Sequence, residues 1–321
     1  MQKLRTAVIG AGAFGRHHLR LLKQSERAEL VAVIDADPER ARAAAQEHGC
    51  RALERTEELA GLVDAAVVAV PTSAHVQVGA ALLDAGIHVL VEKPIAPDVG
   101  SARTLVEAAR RAGRVLQVGH LERFNPAVAA LSKAVRIPLF FEIHRLSVFS
   151  PRSLDVDVVL DLMIHDIDIV LALVGAMPEE IRAAGISILS PKVDIANVRL
   201  AFPGGCIANL TASRVSTERV RKLRLFQPSE YISLDYSRQD AVRFSVSGNR
   251  QIGFSPLEVV KDEPLRLEIG GFLDSVSTGA PVRVTGEEAT RALEVAAAIL
   301  DRIEVHSRVV RETLKHVSGG S

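Results

Sequence analysis

The sequence predicts an α/β chain with two parts: an N-terminal doubly wound parallel sheet of the Rossmann type, then an α+β domain with a large, mostly antiparallel sheet. Three observations carry this expectation. Apolar strand-like segments alternate with helix-like segments through residues 1–120. Short strands with period-two patterning take over beyond that point. A chain of 321 residues is also too long for one core of ordinary size. The expected division is 1–120 and 121–321, with the last helix free to pack back between the domains.

In the first part, Leu4–Ile9 is an apolar run ending in glycine, and Phe14–Gln24 has helical spacing. Glu29–Ile34 reads as a strand that stops at Asp35. Pro38–His48 reads as a helix, with proline in the first turn, where a missing N–H costs little. Ala65–Val70, Ile87–Val91 and Val115–Val118 read as strands, with helices over Ala74–Ala85 and Val99–Ala112 between and after them. Strands apolar on both faces imply a parallel sheet covered by helices on each side.

In the second part, Val156–Val174 reads as an apolar helix. Strands are expected over Leu139–Val148, Ile181–Leu189, Val193–Phe202, Cys206–Val215, Lys222–Gln227, Tyr231–Tyr236 and Val242–Ser247. Cys206, Ala208, Leu210 and Ala212 fall on one face, and Asn209, Thr211 and Ser213 on the other, so one face of the sheet is buried. Two helices, Leu265–Ser277 and Glu287–His306, close the chain, and the Gly319-Gly320-Ser321 tail is expected to be disordered.

Composition excludes several classes of function. The 39 basic and 39 acidic residues cancel, so no broad basic field attracts nucleic acid or an anionic membrane. Aromatics make up 4% and tryptophan is absent, which removes stacking platforms for bases. The nearest approach to a membrane span, Val156–Val174, is interrupted by four aspartates and a histidine. Cys50 and Cys206 form no motif and read as reduced, buried thiols. With no leader-like segment before the first strand, the expected location is cytoplasmic.

Gly10-Ala-Gly12-Ala13-Phe14-Gly15 follows a strand and opens a helix, and Asp35 ends the next strand 20 positions after Gly15. That context is the dinucleotide fingerprint, in which the helix N-terminus receives a pyrophosphate and the carboxylate receives ribose hydroxyls. The alternative is a glycine-rich turn without a ligand. Asp35 and Asp37 repel a 2′-phosphate, so NAD is favoured over NADP, although Arg40 and Arg42 lie near enough to soften this.

Glu92-Lys93-Pro94 sits at a strand's carboxyl end, where ligands bind in open α/β sheets. An ammonium there can stabilise a developing alkoxide; a surface lysine before a turn is the alternative. Asp157, Asp161, His165 and Asp168 fall on one stripe of the apolar helix. A histidine over a carboxylate can serve as a general base. A hydrogen-bonded core histidine, or a metal pair, are the other readings, but no third ligand has suitable spacing and no metal is expected. His17 and His18 have no partner in spacing and read as surface or packing residues.

These motifs, with Val70-Pro71-Thr72 and His75, make the chain resemble the glucose-fructose oxidoreductase/inositol dehydrogenase/MocA family along nearly its whole length. The resemblance implies reversible hydride transfer between a sugar or cyclitol carbon and NAD. It implies Lys93 as the catalytic lysine, often before a cis proline, His165 as acid/base, and Asp161 as the positioning carboxylate. It places Gly10, Gly12, Ala13, Phe14, Gly15, Asp35, Val70, Pro71, Thr72, His75, Glu92 and Lys93 around the cofactor. It also implies a homodimer or homotetramer through the second domain's sheet. Leu162-Met163 departs from the small residues many relatives carry there.

Gly119-His120-Leu-Glu122-Arg123-Phe-Asn125-Pro126 and Ala208-Asn209-Leu-Thr211-Ala-Ser213-Arg214 are similar to the branch that oxidises the 3-hydroxyl of UDP-N-acetylglucosamine, a step that supplies 3-amino sugars to lipid A or surface glycans. On that reading His120, Arg123, Asn125 and Arg214, with Lys93, Asp161 and His165, contact substrate, and Arg123, Arg145 and Arg214 can meet a diphosphate. For each arginine an ion pair is the alternative. The rival expectations are a cyclitol or simple-sugar dehydrogenase and a non-catalytic NAD-binding regulator.

Overall fold

Two sheets organise the computed structural model, which describes residues 3–149, 156–246 and 251–318. The predicted strand end at Ser247 and the Gly319-Gly320-Ser321 tail lie outside the described residues. The chain divides into two compact units. One holds the chain up to Phe124 together with Asp262–Thr290; the other holds Asn125–Lys261 and the chain from Arg291 on.

The first unit runs β1 (Leu4–Ile9), α1 (Ala13–Gln24), β2 (Ala28–Ile34), α2 (Pro38–His48), β3 (Arg51–Leu53), β4 (Ala65–Val68), α3 (His75–Asp84), β5 (His88–Glu92), α4 (Val99–Ala112) and β6 (Leu116–Gly119). A later helix, α7 (Pro264–Thr278), joins it. The strands are all parallel, in the order β3-β2-β1-β4-β5-β6. The order reverses between β1 and β4, the switch point at which such sheets bind ligands. β3 is absent from the sequence expectation because three residues, two of them exposed, carry no periodic signal. The helices start and stop where their end residues dictate. Asp37 caps α2 by accepting from the N–H groups of Glu39 and Arg40, and Gly49 ends it in the left-handed conformation. Leu19, Leu22, Val33, Val67 and Leu90 form the core, with Ile269 and Phe272 of α7 packed against them.

The second unit runs α5 (Pro126–Ala134), β7 (Phe140–Val148), α6 (Ile164–Val174), β8 (Glu180–Ile186), β9 (Ile195–Ala201), β10 (Ile207–Ser216), β11 (Val220–Gln227), β12 (Glu230–Asp235), β13 (Asp240–Val246) and β14 (Ile252–Pro256). Most of the final helix, α8 (Gly286–Ser318), belongs here. The eight strands follow the order β14-β13-β12-β11-β7-β10-β9-β8. Every neighbouring pair is antiparallel except β7 and β10. The connection between those two contains α6 and the β8–β9 hairpin, long enough to return the chain in the same direction.

The period-two expectation holds: Phe141, Ile143, Ala196, Val198, Leu200, Ala208, Leu210 and Ala212 face the core with Ile164, Ile167 and Val170 of α6. On the opposite face Phe140, Phe226, Tyr231, Phe244 and Phe254 stand in register across five strands, with neighbouring rings 4.4–5.9 Å apart. Among the described residues both cysteines are free; Cys206 is buried, whereas Cys50 is only half-buried. No helix among the described residues is long and apolar enough to cross a membrane.

Candidate active site

In the first unit the register of the parallel sheet assembles the site. Ile34, Ile9, Val68, Val91 and Val118 are paired in one row across five strands. The next residue in each strand is therefore Asp35, Gly10, Ala69, Glu92 or Gly119, and the chain leaves the sheet along one edge. Motifs scattered through the sequence become neighbours for this reason.

The glycine loop fits a dinucleotide. Gly10 takes φ +96°, and a Cβ there would lie 2.5 Å from the Ala69 carbonyl oxygen, so only glycine lets β1 turn beside β4. A Cβ on Gly15 would strike the Gly10 carbonyl at 1.8 Å. Among the described residues nothing lies within 4 Å of a Cβ built on Gly12, at the start of α1. Among the described residues no side chain caps that helix, so the N–H groups of its first turn are available to an anion. Phe14 stands half-exposed beside it. Asp35 is aimed by two backbone donors: Ala11 N–H gives to Oδ2 at 2.7 Å and Asp37 N–H to Oδ1 at 2.9 Å. Arg40 reaches Asp35 at 3.3 Å and Asp37 at 3.4 Å.

Beyond β4, Val70, Pro71 and Thr72 lead into α3. His75 begins that helix and is buried, with ring nitrogens 2.9 Å from the Val70 and Pro94 carbonyl oxygens. One side chain thus ties the turn after β4 to the turn after β5. Burial lowers its proton affinity below that of an ordinary histidine. The Lys93–Pro94 peptide is cis, as the resemblance implies. Lys93 is half-buried and donates its backbone N–H to Glu92 Oε2 at 3.2 Å. His120 is fully buried, and burial, the Lys93 ammonium and the Arg123 guanidinium push its pKa down to about 3. Its imidazole is neutral across any working pH. Arg123 donates to the Arg283 carbonyl at 3.1 Å and pairs with Glu288 at 3.2 Å.

In the second unit Asp161 and His165 are half-buried at a junction. Val159–Met163 form a π-type turn, with Ile164 N–H bonded to Val159 O, and α6 continues from Ile164. The expected uninterrupted helix from Val156 is thus replaced by a π turn followed by a regular helix, a feature frequent at functional sites. Asp157 of the predicted stripe instead accepts from Val193 N–H at 2.9 Å. Sequence reasoning missed Asp166. It is buried and receives Nε of Arg145 at 2.8 Å, Nη2 at 2.7 Å and the Tyr236 hydroxyl at 3.3 Å.

Arg145 is 2% exposed, so this internal pair engages the guanidinium that the sequence reading offered to a diphosphate. Arg214 is 6% exposed in its side chain, donates to the carbonyls of Val156 and Val193, and lies 3.4 Å from Asp194. Asn125 caps α5 by accepting from Ala127 N–H at 3.1 Å and donates to the Tyr236 carbonyl at 3.0 Å.

Comparison with known proteins agrees with this geometry. Residues 4–120 match the model of an oxidoreductase family with an NAD-binding Rossmann fold, and residues 143–228 match the GFO/IDH/MocA C-terminal domain. The UDP-N-acetylglucosamine 3-dehydrogenase of Acidithiobacillus ferrooxidans is 36% identical over 97% of this chain and 100% of its own. A crystal form of that enzyme superposes with a TM-score of 0.90 over 95% of this chain and 99% of the other, at 35% identity. The myo-inositol 2-dehydrogenase of Thermotoga maritima is 28% identical over 94% of this chain and 96% of its own. The aldose-aldose oxidoreductase of Caulobacter crescentus, at 21% identity and a TM-score of 0.82 over 94% of this chain and 98% of the other, shares the fold.

Proposed function

The chain belongs to the GFO/IDH/MocA family of NAD-binding oxidoreductases and is a dehydrogenase acting on CH–OH groups, and from that premise we propose that it oxidises the 3-hydroxyl of UDP-N-acetylglucosamine or a closely related nucleotide sugar to the 3-keto sugar. The observation that carries this reading is the similarity to a UDP-N-acetylglucosamine 3-dehydrogenase along the whole of both chains. The keto product is a substrate for amination on the way to lipid A or surface glycans.

The α1 N-terminus holds the pyrophosphate in this proposal, and Asp35 holds the adenine ribose. Phe14, Val70, Pro71, Thr72 and His75 line the cofactor, and Glu92 contributes through the backbone it leads into. His165 takes the proton of the sugar hydroxyl, the Lys93 ammonium stabilises the oxygen as negative charge develops, and Asp161 fixes the ring. The nicotinamide, when bound, accepts the hydride. His120, Arg123, Asn125 and Arg214 border the substrate, and the neutral His120 adds no second positive charge beside Lys93. We further propose a homodimer or homotetramer formed through the sheet of the second unit, supported by the aromatic row on its outer face, where Phe254 is 67% exposed.

A substrate panel tests the reading. With NAD present, UDP-N-acetylglucosamine is expected to give NADH and a 3-keto sugar, while inositol and free glucose give none. NADH from inositol but not from nucleotide sugars would support the cyclitol reading, which the 28% identical Thermotoga maritima relative favours.

A further inference from the structure

One buried cluster in the first unit holds two side chains, His18 and Glu268, that have no part in the reaction as proposed. His18, on α1, is fully buried, and its Nε2 lies 2.7 Å from Glu92 Oε1. The other oxygen of Glu92 accepts the backbone N–H of Lys93 at 3.2 Å. A Cβ on Gly119 would sit 3.0 Å from that oxygen, so the end of β6 leaves room for the carboxylate. Glu268, on α7, is 0% exposed, and among the described residues neither of its carboxyl oxygens has a hydrogen-bond partner. Ligand atoms of His18, Glu92 and Glu268 all lie within 4.8 Å of one another.

We propose that His18 and Glu268 are positioning residues for Lys93, acting through the Glu92 carboxylate that lies between them and the Lys93 backbone. Two carboxylates in a dry pocket repel each other, and one imidazole can compensate only one of them. The groups beside Glu268 include His18 from α1, Glu92 from β5 and the uncharged Gln117 from β6, whose amide donates to the Glu268 backbone carbonyl at 3.1 Å. Neither Glu92 nor Gln117 carries a positive charge. Burial, reinforced by Glu92, holds the Glu268 carboxyl well above the usual carboxylate range, so it keeps its proton. The neutral acid then packs against the His18–Glu92 pair without competing for the imidazole. Glu92 is left with one oxygen on α1 and the other on the N–H of Lys93. The helix proposed to hold the pyrophosphate and the strand end that carries Lys93 are fixed to each other by this carboxylate.

The functional consequence rests on the catalytic role proposed for Lys93, so the test reads backbone protection and turnover separately. Hydrogen exchange at the Lys93 amide is measured against the Val89 and Val91 amides of the same strand. His18→Ala and Glu268→Ala are each expected to speed exchange at Lys93 about tenfold with the reference amides unchanged. His18→Gln and Glu268→Gln, which return a donor and a neutral carboxyl mimic, are expected to restore protection. In parallel, His18→Ala is expected to lower kcat about 100-fold, the effect of a small misplacement, while the Kd for NAD stays within about twofold. Unchanged Lys93 exchange in both alanine variants would overturn the proposal. So would a stoichiometric divalent ion in the purified enzyme that is lost in Glu268→Gln, since the cluster would then be a cation site. Wild-type turnover in Lys93→Met would instead overturn the catalytic reading, while the exchange data still decide whether the cluster holds the Lys93 backbone.

Discussion

Each unit buries a group of ionisable side chains, and the two groups are built on opposite terms. In the second unit Arg145 sets two donors on Asp166, and Tyr236 adds a third. Cation and anion cancel, and the guanidinium also lies 4.9 Å from the Tyr236 ring centre. In the first unit two carboxyl groups lie beside one imidazole, and one of them has no hydrogen-bond partner among the described residues. The balanced cluster resists only the loss of a member. The unbalanced cluster carries a proton as part of its structure and sits next to Lys93. A buried carboxyl group without a hydrogen-bond partner among the described residues calls for another explanation, and its place beside Glu92 at the strand end supplies one.

The comparison can be broken most forcefully at Asp166. Removing one partner of a buried pair strands the other, so Asp166→Ala should lower unfolding free energy by about 3–5 kcal/mol, read from denaturant midpoints. Replacing both Arg145 and Asp166 with apolar residues should recover most of that loss. A small effect of Asp166→Ala alone would show that Arg145 is not held by this carboxylate.

Two buried groups of the first unit sharpen the contrast through pH, with opposite signs. A carboxyl whose pKa is raised on folding binds more protons folded than unfolded, so its contribution declines as pH rises above the ordinary value of 4.5. Relative to the wild type, Glu268→Gln should therefore gain stability with rising pH, by up to about 1.4 kcal/mol per unit. His120 is depressed instead, from 6.5 to about 3, so the unfolded chain binds the extra proton. Its presence lowers stability as pH falls from 6.5 towards 3, and His120→Gln should flatten that decline. Parallel curves for the wild type and both variants would contradict these assignments.

A smaller effect is expected at Asp35. Asp35→Ser removes the negative charge that faces a 2′-phosphate, so the preference for NAD over NADP should fall about tenfold, close to 1.4 kcal/mol. Titration of both cofactors measures it, and an unchanged ratio would assign the discrimination elsewhere. Smallest is the aromatic row: Tyr231→Ala removes stacking on Phe226 and Phe244 and should lower stability by about 0.5–1.5 kcal/mol beyond the area lost.

The first unit was legible because several of its candidate site residues follow a strand end, and parallel register turns that shared local position into a shared place. Gly10, Asp35 and Lys93 stand directly after β1, β2 and β5, where the pattern of strand, turn and helix put them. His18 was not legible: its partner Glu92 is 74 residues away, and histidine on an amphipathic helix has no signature of its own. Glu268 lies in a helix read simply as one of the two that close the chain, and only folding brings it to the nucleotide-binding unit. In the second unit alternation predicted which face of the sheet is buried, but not that β7 and β10 run parallel, since register between distant strands has no local code. Asp166 was hidden among four aspartates, and the π turn shifted the stripe that spacing had drawn. The helix α5 was missed although its signal was present, a capping Asn125 followed by Pro126. The strand β14, five exposed residues, offers no pattern to read.

The most direct measurement of the central claim is single-turnover NADH formation from UDP-N-acetylglucosamine by the wild type, Lys93→Met and His165→Gln, with NAD affinity measured alongside. The account predicts NADH from the wild type, rates lower by about 100- to 10,000-fold in each variant, and unchanged NAD binding. Wild-type rates in either variant would contradict it.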